Sequence, residues 1–126
     1  MPETRRAELD RGPQAPALAR RAVAAWLAGA LEPMRVEDAK LLVSELVTNA
    51  VRQPRDSGRI GLEVVVAGKR VRVEVSNPGA GFSKPSVDPP PADALSGRGL
   101  LIVDRLASRW GVTPGAPTRV WFEIDR

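Results

Sequence analysis

The chain has no cysteine and no histidine. Their joint absence excludes disulfides, zinc held by thiolate or imidazole, thiol nucleophiles, serine-histidine triads and phosphohistidine chemistry on this chain. Whatever chemistry it performs must run on carboxylates, amides, hydroxyls, arginines or an oxygen-bound metal. Tyrosine is absent too, and two phenylalanines and three tryptophans are the only aromatics, so no stacking platform for nucleic-acid bases is visible. Long hydrophobic runs are also missing. The longest, Val23 to Leu31, is half of what a membrane helix needs. The first 16 residues carry Arg5, Arg6 and Arg11 among acids, prolines and Gly12, without the apolar stretch of a secretory signal. The expectation is a cytoplasmic protein that engages neither membrane nor nucleic acid, with a disordered N-terminal arm over 1–15 and one domain over 16–126.

Nineteen basic against 15 acidic residues give a net charge of +4, an excess that favours a phosphate-bearing or acidic partner and equally serves solubility. All but three of the basic residues are arginine, alongside abundant alanine and proline. That bias fits a GC-rich coding sequence, so the arginines as a group indicate no particular chemistry.

From Pro16 the segment PALARRAVAAWLAGALEP reads as a helix that offers Leu18, Val23, Trp26 and Leu27 for burial and closes at Pro33. A second helix begins at Val36. At 100° per residue Val36, Ala39, Val43, Leu46, Val47 and Ala50 share one face, with Asp38, Glu45, Asn49 and Arg52 opposite and Leu41 and Leu42 near that polar cluster. Pro54 and Gly58 break the pattern. RIGLEVVVA and RVRVEVS then alternate apolar and polar residues about a turn at Gly68-Lys69, as an antiparallel hairpin does. The stretch FSKPSVDPPPADALS has no apolar period and reads as a long surface loop. LLIVDRLASRW follows as a helix with Leu100, Val103, Leu106, Ala107 and Trp110 on one side, and TRVWFEI closes the chain as a strand. Antiparallel strands with helices on one face predict an α+β fold, a two-layer sandwich.

Four features bear on chemistry. Glu45 and Asn49 lie one helical turn apart and point the same way, an arrangement that a plain polar face also produces. Asn77-Pro78-Gly79-Ala80-Gly81 ends a clean alternating strand, where glycines either turn the chain or let a ligand approach the backbone. Gly97-Arg98-Gly99 opens a helix, where exposed N–H groups and the helix dipole favour an anion, although turn chemistry alone also explains such a pair. Thr118 begins the last strand, a usual place for a β-branched residue. Taken together within one small domain, they describe an adenine nucleotide held between sheet and helices. Such a site has an oxygen ligand for magnesium, a carboxylate beside the nucleophile, N–H groups for phosphate and a cover.

SELVTNAV, NPGAGF, SGRGLLIVD and PTRVWFEI, in this order, resemble the four boxes of the ATP-binding domain shared by gyrase, MutL and the histidine kinases, the GHKL or Bergerat-type fold. The likeness runs from Ala17 to Ile124 and is greatest to the stand-alone anti-sigma-factor serine/threonine kinases. It implies ATP and Mg2+ as cofactors, Glu45 as general base and Asn49 as the magnesium-ligating amide. Asn77, Gly79 and Gly81 match the box that meets adenine. Gly97, Arg98, Gly99 and Leu100 match the phosphate box, with the lid between Phe82 and Ser96. Thr118 matches the residue that supports the adenine contact, and Arg20 falls where these kinases touch protein partners. The resemblance further implies a sigma factor and an anti-anti-sigma protein of STAS type as partners, and a homodimer.

Three positions depart from the family pattern. Asn77 stands where an aspartate usually accepts from the adenine amine, a neutral acceptor in place of a charged one, which costs about 1–2 kcal/mol. Gln53-Pro54 replaces the usual histidine-led continuation of the second helix, and Pro117 replaces a glycine. With no histidine to phosphorylate, the resemblance implies phosphoryl transfer to a partner's hydroxyl, a serine of the anti-anti-sigma protein, or to water. The alternative is a degenerate nucleotide-binding regulatory module that holds a protein partner without kinase activity.

Overall fold

The computed structural model of the chain describes residues 2–52, 58–77, 102–115 and 117–126. In chain order it forms β1 (Glu3–Leu9), α1 (Ala15–Leu27), α2 (Pro33–Val51), β2 (Ile60–Ala67), β3 (Arg70–Asn77), β4 (Arg109–Thr113) and β5 (Thr118–Asp125), with residues 102–106 also helical. The strands make one sheet in the order β1-β2-β3-β5-β4, antiparallel at every junction. The two helices pack on one face of it, so the expected α+β two-layer sandwich is the fold observed.

Alternation decides which face the helices cover. Ile60, Leu62 and Val64 of β2, Val71, Val73 and Val75 of β3, and Phe122 and Ile124 of β5 all point inward and are buried. The β2–β3 hairpin pairs Ala67 with Arg70 across Gly68-Lys69. Gly68 takes φ +57°, the left-handed conformation that two-residue hairpin turns require and that glycine adopts without strain.

α1 buries Ala15, Ala19, Val23 and Leu27, one residue every four, a single row along the helix. α2 buries a broader stripe, Ala39, Leu42, Val43, Leu46, Val47 and Ala50, because it touches α1 on one flank and β2, β3 and β5 beneath. Each of these larger aliphatic side chains contributes about 1.5–3 kcal/mol when fully withdrawn from water. The helical residues 102–106 add Val103 to the same core, with Ile102 and Leu106 against it.

Four sequence expectations are corrected. The arm over 1–15, expected to be disordered, is from Glu3 to Leu9 an edge strand paired with β2 along its full length, Glu3 opposite Val66 and Leu9 opposite Ile60. Its backbone hydrogen bonds hold it where its mostly charged side chains give no apolar signal. Pro33, expected to end the first helix, is instead the first residue of α2, a position where the missing N–H costs nothing and the fixed φ suits the helix. Leu18, expected to be buried, is exposed. The last helix, expected to reach Trp110, ends at 106, and Trp110 belongs to β4, where it pairs with Phe122.

The face away from the helices is polar. Its centre is Glu123, which is 8% exposed and receives Arg109 at 3.1 Å, Arg72 at 3.3 Å and Arg70 at 3.7 Å. Arg72 also stacks 4.1 Å from the centre of the Trp121 ring, a favourable cation–π arrangement.

Candidate functional site

α2 and the end of β3 frame the site. Asn49 lies two residues before Val51, the last residue of α2, and, at 8% exposure, is one of three buried polar residues among those described. No hydrogen-bond partner falls to its side chain among the described residues. A buried amide needs a hydrogen-bonding partner, and Asn49 presents such a group near the end of the α2 stripe. Glu45, one turn earlier on the same side of the helix, is half-buried. Among the described residues no group of three acidic side chains gathers that could hold a metal alone. One amide oxygen suits an ion held mostly by phosphates and water, as magnesium usually is.

Asn77 continues the inward side of β3 after Val71, Val73 and Val75, so the apolar stripe ends in an amide that is 8% exposed. Its cross-strand partner is Thr118 of β5, which places the two polar side chains next to each other on the covered face. The Thr118 hydroxyl donates to the Gly115 carbonyl at 2.9 Å and so closes the β4–β5 turn. Thr48 donates to the Ser44 carbonyl at 2.7 Å, and Arg20 of α1 donates to the Ser44 hydroxyl at 2.7 Å. Arg20 is thereby fixed one residue from Glu45.

The structure sets Asn77 opposite Thr118 at the ends of β3 and β5 and Glu45 and Asn49 one turn apart on α2, with Arg11 joining the Ala50 carbonyl of α2 to Asn77. Gly79, Gly81, Gly97, Arg98, Gly99 and Leu100, together with the expected lid and Gln53-Pro54, lie outside the described residues.

One residue of this group escaped sequence reasoning. Arg11, in the turn between β1 and α1, donates to the Ala50 carbonyl near the end of α2 and to Asn77 Oδ1, while its Nε reaches the Gly58 carbonyl at 3.3 Å. A guanidinium at the C-terminal end of a helix is well placed electrostatically, since the last carbonyls there lack intrahelical donors. No local pattern signals it: Asn77 is 66 residues away along the chain, and only the fold brings them together.

Comparison with known proteins agrees with this architecture. No curated protein sequence matches the chain. Among solved structures it is similar to the RsbU and RsbW domains of Rv1364c from Mycobacterium tuberculosis, with a TM-score of 0.73 and 22% identity. That similarity covers 97% of this chain and 31% of the other, so this chain spans about a third of the length of that solved chain. Residues 10–123 match the sequence model of the histidine kinase-like ATPase domain. With that match running over nearly its whole length, the chain belongs to the histidine kinase-like ATPase domain family.

Proposed function

We propose that the protein is an ATP-binding serine/threonine kinase of the anti-sigma type. It sequesters a sigma factor, phosphorylates a serine of an anti-anti-sigma partner of STAS type, and acts in the cytoplasm as a homodimer. One observation carries this reading: two buried side-chain amides, Asn49 and Asn77, stand on α2 and β3 at one end of an otherwise apolar interior, with Glu45 one turn from the first.

Magnesium-bound ATP would supply the phosphoryl group and spread its charge. Asn49 would hold the ion through Oδ1. Asn77 Oδ1 would accept from the adenine amine, with Thr118 beside it. Glu45 would orient the partner's serine hydroxyl and take its proton. The backbone of Gly97, Arg98, Gly99 and Leu100 would meet the phosphates, while Gly79 and Gly81 would leave room for the base. Arg20, held on α2 at Ser44, would face the protein partner close to Glu45.

Calorimetric titration with ATP, with and without magnesium, tests this. Micromolar binding that needs magnesium and is lost in Asn49→Ala is expected. Glu45→Ala should leave that binding in place and lower transfer to a STAS-domain serine by about 10²–10⁴-fold. Equal binding without magnesium, unchanged by Asn49→Ala, would remove the kinase reading.

A second reading has one observation in its favour, the engagement of Asn77 Oδ1 by Arg11. It describes a regulatory module that binds its protein partner without kinase activity. Partner binding would then be indifferent to ATP and to Glu45→Ala.

A further inference from the structure

The acceptor that would read the adenine amine is already bonded to a donor from the same chain. Asn77 Oδ1 is the polar end of the β3 stripe, and the Arg11 guanidinium sits on it, braced against the Ala50 and Gly58 carbonyls. An N–H group of Arg11 and the exocyclic amine of adenine are both donors to the one Oδ1 atom, whose two lone pairs they must share, so a guanidinium already seated there leaves the amine a weaker acceptor. We propose that Arg11 is a specificity-determining residue of the base site, competing with the adenine amine for Asn77 and so weakening the site's preference for adenine. This inference rests on the nucleotide-binding reading above.

The identity of residue 77 decides whether such competition is reversible. A carboxylate there would hold the guanidinium by a charge-assisted, potentially bidentate pair. An amide holds it through one neutral acceptor, so the guanidinium can be displaced. The asparagine that departs from the family pattern and the arginine that meets it form one device. Two of Arg11's three contacts are to backbone carbonyls, so the guanidinium keeps a resting place when Asn77 is taken by a ligand. The segment carrying it is short: Arg11 lies two residues beyond Leu9, the last residue of β1, and four before Ala15, the first of α1. The Ala15 N–H bonded to the Gly12 carbonyl closes the turn between them. This anchorage keeps the competitor at high local concentration beside the site.

The test compares ATP with purine riboside triphosphate, which lacks the 6-amino group, on the full chain and on Arg11→Met, which keeps the apolar stem and removes every donor. The parent is expected to bind the two nucleotides within about threefold of each other. Arg11→Met should bind ATP about tenfold more tightly than the parent and prefer it about tenfold over the analogue, the scale of one regained hydrogen bond. A parent that already prefers ATP tenfold would overturn the inference, and that comparison needs no variant to fold. So would an Arg11→Met protein that melts lower yet binds ATP as the parent does, since that marks a purely structural clamp. Measurable magnesium-dependent binding without any Arg11 effect removes this inference alone. Failure of both proteins to bind either nucleotide removes it together with the nucleotide-binding reading.

Discussion

Replacing Asn77 by aspartate restores the charged acceptor of the family pattern, and from the sequence alone it should tighten ATP binding by the 1–2 kcal/mol attributed to that charge. The structure predicts otherwise. With Arg11 bonded to position 77, the new carboxylate finds a cationic partner before any nucleotide arrives. A hydrogen bond to a neutral amide is worth about 1 kcal/mol net, whereas one between charged groups is worth about 1.5–3 kcal/mol. The site is 8% exposed, so desolvation of the carboxylate takes back part of the gain. Asn77→Asp should therefore stabilise the fold by about 1 kcal/mol, raising Tm by about 3–6 °C for a domain of this size. ATP affinity should change by less than about threefold, because the stronger acceptor and the stronger competitor offset each other. In an Arg11→Met background the same substitution leaves a buried carboxylate without its partner, which costs about 3 kcal/mol or more of stability. There, ATP should bind tens-fold more tightly than to Arg11→Met alone, since the adenine amine now meets a free charged acceptor. Paired calorimetry and thermal melts on the four proteins check this. A rise of tenfold or more in ATP affinity for Asn77→Asp alone, with Tm unchanged, would refute the reasoning.

Three further outcomes follow from the sheet. Glu123→Gln should lower stability by about 1–2 kcal/mol and less so in high salt, since it leaves Arg70, Arg72 and Arg109 facing one another around a site that is 8% exposed. Glu63→Gln, which breaks the exposed pair with Arg6, should cost under about 0.5 kcal/mol in the same urea titration; equal losses would contradict the burial argument. Phe122→Ala removes the largest fully buried side chain and should cost about 3–5 kcal/mol, and a loss under about 1 kcal/mol by chemical denaturation would mean that the inner face of β5 is not packed as described.

The legible parts of the sequence were those where period and burial agree. The valines of β2 and β3 alternate because one face is covered, and the α2 stripe repeats because one side of that helix is. The strand ETRRAEL gave no such signal. Only Leu9 among its residues is buried, so hydrogen bonding to β2, not side-chain burial, places it in the sheet. Val103, Leu106, Ala107 and Trp110 fit a helix by spacing, yet Trp110 gains a cross-strand neighbour in Phe122, and tertiary pairing overrides the local period. The candidate site residues divide in the same way. Glu45 and Asn49 declare themselves by helical spacing and Asn77 by its place at a strand end. The contact of Arg11 with Asn77 joins residues far apart in sequence, and no window along the chain contains both.

That β1 is an edge strand has a thermodynamic consequence. Edges open more readily than sheet centres, and the strand that opens here leads two residues later to the guanidinium beside Asn77. Detachment of Glu3–Leu9 from β2 and departure of Arg11 from Asn77 are thus coupled equilibria, and by linkage each favours the other. A ligand that seats its amine on Asn77 should accelerate hydrogen exchange of the β1 amides, and an antibody fragment that captures the opened N-terminal segment should strengthen adenine binding.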